Sequence, residues 1–354
     1  MEIGSEFWDM PIQEGRSLDI PKNSHWLLSG RTALDHIIKD ILYCHRDIVV
    51  YMPAYCCEAM LVPFLNHEIR IKTYPVIAGS KGLELQYDYN NDCNVVFLIN
   101  YFGFVNDDTA LIARRELAAG KIVIYDEVQA YFSNTDVDAT YRLMSFRKWF
   151  ANDAALAMKS TAFLVNAPET VNDRYEKLRM DARRQKKQYM SKAISDKKVY
   201  LDLFARAENI LNGDYCDYAS INSEIKNALY CDFDLIRSKR RKNAEYLISE
   251  INQMQGLAIR SVYPELRDGD CPLMIPIIVK DNGRDSLCEY MKSQNIYCPI
   301  HWPFSKYHKE CGADGDLYRS ELSLVCDQRY GLEDMQRIIK TIREWVYVTS
   351  NSGR

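Results

Sequence analysis

Apolar residues alternate between two rhythms across residues 30–165. In RTALDHIIKDILY, Leu34, Ile37, Ile38, Ile41 and Leu42 recur at helical spacing and share one face. DIVVYMP then reads as a buried strand ended by Pro53, and Glu58–Leu65 as a second helix that tolerates Pro63. EIRIKTYPV and NVVFLIN predict strands. Thr109–Ala119 predicts a helix closed by Gly120 as its C-cap. KIVIYD predicts the next strand and STAFLVN another. Strands alternating with helices imply an α/β fold, a mostly parallel sheet with helices on both faces.

Residues 166–235 have helical composition and few breakers. After about residue 236 the pattern becomes a helix (Leu235–Met254), a strand (Met274–Val279), a helix (Arg284–Gln294), the ring-rich IYCPIHWPF, a strand (Glu321–Val325) and a last helix (Leu332–Val346). The expected organisation is an N-terminal arm over 1–24, a large α/β domain over 25–235 and a smaller α+β domain over 236–354.

With 354 residues, 47% of them hydrophobic and 27% charged, the chain has ordinary globular composition and length for more than one domain. A net charge of −4 gives no overall basic field to draw nucleic acid or an anionic membrane. No run approaches membrane-spanning length. The dense basic run Arg237–Lys242 predicts a solvated helix face, with Asn243 exposed on it. The eleven cysteines are scattered, odd in number and without zinc spacing, so no metal site is expected. Free thiols in a reducing cytoplasm are the expectation. MEIGSEFWDMPIQEG is acidic and lacks an apolar core, so no secretory leader is expected there.

Ligands of open α/β sheets sit at the carboxyl ends of the strands. There the sequence places Pro53-Ala54-Tyr55-Cys56-Cys57, Asn100-Tyr101-Phe102-Gly103 and Asp126-Glu127-Val128-Gln129. Ser29-Gly30-Arg31-Thr32 opens the first helix, where backbone N–H groups favour an anion. Lys148 stands among Phe146, Arg147, Trp149 and Phe150. A phosphate cradle, a strand-end carboxylate and a lysine suit pyridoxal 5'-phosphate. Its aldehyde takes a lysine amine, its ring nitrogen a carboxylate, and its phosphate a helix N-terminus.

Asp126-x-x-Gln129 at a strand end, followed by Ser-x-x-Lys, resembles the DegT/DnrJ/StrS family of PLP-dependent sugar aminotransferases, in a remote subgroup. Gly30-Arg31-Thr32-Ala33-Leu34, Pro53-Ala54-Tyr55, Asn100-Tyr101-Phe102-Gly103 and the stretch from Leu322 resemble further segments of that family, over about residues 25–345. The resemblance implies a type I PLP-transferase fold, with a mostly parallel mixed sheet flanked by helices. It implies a ping-pong amino transfer from an amino-acid donor such as glutamate to a keto sugar, nucleotide-linked sugars included. It also implies a homodimer with active sites at the subunit interface.

By the same resemblance Lys148 is the catalytic lysine and Asp126 the partner of the ring nitrogen. Gln129 touches the 3-hydroxyl or ring face. Gly30, Arg31, Thr32 and Ser145 serve the phosphate. The ring-stacking slot falls on Cys57, with Tyr55 the nearby aromatic. His301 and Trp302 are candidates for a pocket wall, with core packing the competing reading, and Arg329 is a candidate for a donor carboxylate or for an ion pair with Asp327 or a neighbouring helix. A glycine-rich turn follows the lysine in the family; here it is Ala151-Asn152-Asp153-Ala154-Ala155. Another PLP reaction, or a binding protein that has lost the cofactor, remain the alternative readings.

Overall fold

The computed structural model describes residues 2–13, 17–194, 196–254, 258–313 and 315–352. Its centre is a seven-stranded sheet. The strand order is Ser24–Leu27, Ala155–Lys159, Tyr141–Ser145, Ile122–Asp126, Val95–Ile99, Val49–Pro53 and Arg70–Tyr74. The last five run parallel, while Ala155–Lys159 pairs antiparallel with both of its neighbours. Val49–Pro53 and Val95–Ile99 are buried at every position, as strands covered on both faces require. Helices Gly30–Cys44, Glu58–Asn66 and Asp107–Ala118 stand where the periodicity predicts them, and Gly120 follows the third at φ +78.

The strand expected at STAFLVN lies one segment earlier, at Ala155–Lys159. Both segments are apolar, but the backbone donors of Leu164 and Val165 go to Asp40 Oδ1, at 2.5 and 3.0 Å, instead of to a sheet. The edge and inner strands Ser24–Leu27 and Tyr141–Ser145 had no clear apolar alternation to announce them.

The remainder of the chain supplies helices Asp173–Met190, Lys198–Gly213, Asn222–Leu229 and Phe233–Asn252, then a three-stranded sheet. That sheet is antiparallel, in the order Ile259–Ser261, Ile275–Val279, Glu321–Leu324, and packs with helices Arg284–Ser293 and Leu332–Ser352. One hydrophobic cluster runs from Ile37 and Phe97 in the large sheet to Ile277 and Ile338 beside the small one. Gly103, at φ +83, permits the closest approach between them. A Cβ there would stand 2.0 Å from Cys271 O, and the backbone instead exchanges hydrogen bonds, Cys271 N–H to Gly103 O and Leu273 N–H to Phe102 O.

The basic run is not a solvated face. Arg240 is 0% exposed, its guanidinium lying 4.8 Å from the Trp149 ring centroid. It donates to Leu273 O (2.8 Å), Gln328 Oε1 (2.8 Å) and Trp149 O (3.3 Å). Arg237 and Arg241 donate to loop carbonyls, including Phe132 O and Asp270 O. Asn243 is likewise buried, its Nδ2 within 3.2 Å of Cys326 O, Asp327 O and Tyr330 O. Those carbonyls belong to loops without ladder partners, and a long cation or amide from a neighbouring helix is what satisfies them. Arg240→Ala therefore leaves several buried carbonyls unmet and a cavity beside Trp149. A loss of about 3–5 kcal/mol in urea unfolding is expected, against less than about 0.5 kcal/mol for the exposed neighbour in Lys239→Ala.

Candidate active site

Strand register sets the site before any side chain is considered. Ile99 pairs with Asp126, and Asp126 with Leu143. Ala155 pairs with Ser145 on one side and Leu27 on the other. Ile99, Asp126, Ser145 and Leu27 thus end their strands on one edge. Two residues past Leu27, Ser29 caps the first helix, its Oγ accepting from Thr32 N–H. The helix start consequently lies beside Ser145: a Cβ on Gly30 would meet Ser145 Cβ at 3.2 Å.

After Ser145 the chain makes one 3-10 turn, Phe146–Lys148. Phe146, Trp149 and Phe150 are at most 1% exposed and anchor the turn, with Trp149 Nε1 donating to Val128 O at 2.9 Å. Burial of three large aromatics holds the turn by several kcal/mol, roughly 1.5–3 each. Arg147 and Lys148 are thereby driven outward into a cleft of about 680 Å³. Lys148 is exposed within that cleft and makes no hydrogen bond or ion pair among the described residues. The surrounding protein still desolvates its amine, and with the Arg147 charge this lowers its pKa.

The turn that follows needs no glycine. No residue from 146 to 155 has positive φ. Asn152 Oδ1 accepts Ala154 N–H at 2.8 Å, and Glu224 Oε2 accepts Asp153 N–H at 3.0 Å. Asp153 is pinned by Arg179 and Arg183, whose charges outweigh its burial and hold its carboxyl below the usual range.

Asp126 is 2% exposed. Its Oδ1 accepts Val128 N–H at 2.9 Å, while no partner for Oδ2 is found among the described residues. Burial pushes its pKa up to about 7; the nearby Glu127 adds to this, and the Val128 hydrogen bond and the Lys148 charge oppose it. Lys148 and Asp126 also both act on the Cys57 thiol, which burial pushes up. The three therefore share one locale. Cys57 is half-buried at the start of helix Glu58–Asn66. Gln129 Oε1 accepts Phe102 N–H at 2.7 Å, and its amide nitrogen has no partner among the described residues. Ser145 Oγ has none either.

Other expected residues are committed elsewhere. Arg31 donates through Nη1 to Leu211 O and Asn212 Oδ1, at 3.2 and 3.0 Å, while its Nε has no partner among the described residues. The Thr32 hydroxyl donates to Tyr215 O at 2.7 Å. Tyr55 is 2% exposed; its hydroxyl donates to His301 O and its ring packs on Trp302, Tyr101 and Tyr318. It braces the loop and is not free to cover a ligand ring. Trp302 joins that aromatic group behind the cleft wall, whereas His301 lines the cleft. Arg329 also lines the cleft, but Asp327 takes its fork with two 2.8 Å bonds, and Ser5 O and Glu6 O take the rest.

The sequence reading missed Glu6, Arg179 and Glu208, which also line the cleft. Arg147 pairs with Glu208 at 2.9 Å, and Arg179 with Glu6 at 3.4 Å. Only Arg147 was marked by position, next to Lys148. No group of residues able to hold a metal occurs among the described residues.

No family model matches the chain, and no curated protein matches it. Solved structures do. NtdA from Bacillus subtilis, with bound cofactor PMP, superposes with a TM-score of 0.62 at 13% identity over 92% of this chain and 73% of its own. PseC of Helicobacter pylori, an aminotransferase involved in the biosynthesis of pseudoaminic acid, gives 0.60 at 13% over 97% and 100%. A DegT DnrJ EryC1 StrS aminotransferase from Brucella abortus gives 0.57 at 13% over 91% and 86%. At these identities the likeness shows the fold, the mixed α/β architecture of these aminotransferases.

A carboxyl whose folded pKa is raised contributes stability below its unfolded value and loses it as pH rises through the folded one. Ligand-free protein should therefore lose stability through Asp126 as pH rises from about 4 to about 7, with the loss complete above that. Asp126→Asn keeps the Val128 hydrogen bond and removes that loss. It should unfold at higher urea than the parent at pH 9, by up to about 4 kcal/mol, and equally at pH 4.

Proposed function

We propose that this chain is a PLP-dependent aminotransferase, moving an amino group from an amino-acid donor to a small keto substrate. A keto sugar is the class its structural neighbours favour. One observation carries this reading. A buried carboxyl with an unpaired oxygen, Asp126, ends a central strand within electrostatic reach of Lys148, a desolvated, unpaired lysine that lines the cleft. A carboxyl in that state lacks a cationic partner, and a protonated pyridine nitrogen is one.

The remaining parts fit the same cofactor. Unspent N–H groups at Gly30 and Arg31, with Ser145 Oγ close by, would hold its phosphate. The Gln129 amide nitrogen, fixed by its Oε1 bond to Phe102, is placed to donate to an oxygen. Cys57 offers a small, apolar contact where the family has a ring. When bound, pyridoxal phosphate supplies an electron-withdrawing ring that stabilises negative charge on a substrate carbon.

The chain supplies the rest. Desolvation and Arg147 keep the Lys148 amine closer to neutral, so it can act as a nucleophile and move a proton at its Nζ. Asp126, once faced by a cation, is held as the carboxylate and fixes that charge in place. The anchored turn at Phe146–Phe150 keeps Lys148 on the cleft floor, and the Arg147–Glu208 and Arg179–Glu6 pairs form a charged wall for polar substrate groups. A homodimer and a cytoplasmic location belong to the same proposal. All eleven cysteines are free, and no helix among the described residues is long and apolar enough to cross a membrane.

Protein purified with pyridoxal phosphate should show a near-visible band that borohydride bleaches and that Lys148→Ala lacks. Glutamate should convert the band to the pyridoxamine form, and a keto acid should restore it. Lys148→Ala should cut turnover by at least about 10²-fold. A colourless protein in the presence of the cofactor would sink the proposal.

A further inference from the structure

His301, Ser323 and Glu321 make a chain of hydrogen bonds that begins at the cleft and ends inside the protein. His301 Nδ1 lies 2.8 Å from Ser323 Oγ, and Ser323 Oγ hydrogen-bonds Glu321 Oε1. Glu321 Oε2 accepts His301 N–H at 2.9 Å. Glu321 and Ser323 are 0% exposed and, two apart on one strand, point to the same face. The other imidazole nitrogen, Nε2, has no partner among the described residues and is not sealed from solvent. Its residue lines the same cleft as Lys148, whose charge acts on it.

Two proton arrangements satisfy every group in this chain. With Glu321 ionised, Ser323 donates to Glu321 and accepts Nδ1–H, so Nε2 presents a lone pair to the cleft. With Glu321 protonated, its O–H donates to Ser323, Ser323 donates to Nδ1, and Nε2 presents an N–H. Backbone N–H of His301 keeps its acceptor in both. Neither arrangement leaves a buried donor or acceptor unmet, so neither is penalised.

Burial and the Lys148 charge push the His301 pKa down to about 3, so it does not hold a second proton itself near neutrality. Burial pushes Glu321 up to about 8, opposed by Ser323, the His301 N–H and Arg284. Arg284 faces Glu321 from helix Arg284–Ser293 and favours its ionised form. Tyr55 and Cys298 also face it, and both stay neutral in this range because burial raises their pKa values.

We propose that His301, Ser323 and Glu321 form a proton wire serving the cleft, with Glu321 as the store and His301 Nε2 as the outlet. A substrate group X–H in the cleft gives its proton to Nε2. Nδ1–H passes to Ser323 Oγ, and the Ser323 proton passes to Glu321 Oε1. One X–H, one N–H and one O–H bond break, and one N–H and two O–H bonds form. X keeps its electron pair, and no electrons leave the system. Reversal delivers a proton to a carbonyl or amine of the bound substrate. Use of the wire in amino transfer rests on the reading above; the wire itself does not.

The test reads the tautomer directly. In the full chain as purified, with ¹⁵N-histidine, long-range ¹H–¹⁵N spectra are recorded across pH, with His301→Gln used to assign the signal. The parent should change from Nδ1–H at high pH to Nε2–H at low pH, around pH 8, without becoming imidazolium. Glu321→Gln should show Nε2–H at every pH, and Ser323→Ala should lose the pH-linked change. Should Glu321→Gln not fold, Ser323→Ala, which removes a single oxygen, carries the test. One tautomer throughout in the parent, an imidazolium near neutrality, or an unaltered change in the variants overturns the wire. With the cofactor bound, Ser323→Ala should lower kcat at least tenfold and flatten its pH profile while leaving the near-visible band intact. An intact band with an unchanged profile removes the wire from the reaction. Absence of the band in the parent, with the tautomer change present, leaves the wire standing and removes the aminotransferase reading.

Discussion

A carboxyl group buried with one oxygen unpaired costs free energy, and Asp126 sits at the end of a central strand in that condition. One backbone N–H meets one of its oxygens. The strand cannot move it outward, because residues 122–126 are locked between two parallel neighbours. The helix start and the lysine turn lie near the same strand end, where the proposed cationic ring would meet the carboxyl. On the proposed function, the cost of that burial and an affinity for a cationic ring have one source.

The same edge shows why a lysine turn can be rigid without glycine. Asn152 Oδ1 and Glu224 Oε2 satisfy backbone N–H groups of the turn, and the Asp153 carboxylate ties it to Arg179 and Arg183. A buried ionic group does by hydrogen bonding what a small residue would do by conformational freedom. Dependence on several charged partners follows: the turn is only as firm as the helix Asp173–Met190 that carries both arginines.

Much of the fold was legible. Apolar runs and helical spacing located the parallel strands from Val49 to Asp126 and the helices between them, because these elements bury residues on a regular period. Ala155–Lys159 and the segment after it were confused because two apolar runs adjoin, and the choice between them lies with Asp40, over a hundred residues away. Lys148, Asp126, Gln129 and Ser145 stand at or just after strand ends, as their spacing predicted. Arg31, Thr32, Tyr55 and Arg329 carried the right chemistry for contact, but their side chains are claimed by Asn212, Tyr215, His301 and Asp327. Arg240 and Asn243 read as surface because polarity marks exposure only when no unpaired carbonyl lies within reach. Apart from the Asp327–Arg329 pair, two residues apart in the chain, such claims depend on tertiary neighbours, which no local pattern encodes.

The loop after Pro53 is gripped by side chains from the last third of the chain. Tyr318 donates its hydroxyl to Ala54 O at 2.6 Å and accepts from Cys56 N–H at 3.0 Å, His308 Nε2 reaches Cys56 O at 2.9 Å, and Tyr55 reaches back to His301 O. These bonds are buried, so prising the two apart would strand all of them at once. A jaw-like opening at that seam is thereby made rare. The loop after Pro53 and the segment from His301 to Tyr318 are kept at one spacing, as a single hinge-free unit would be.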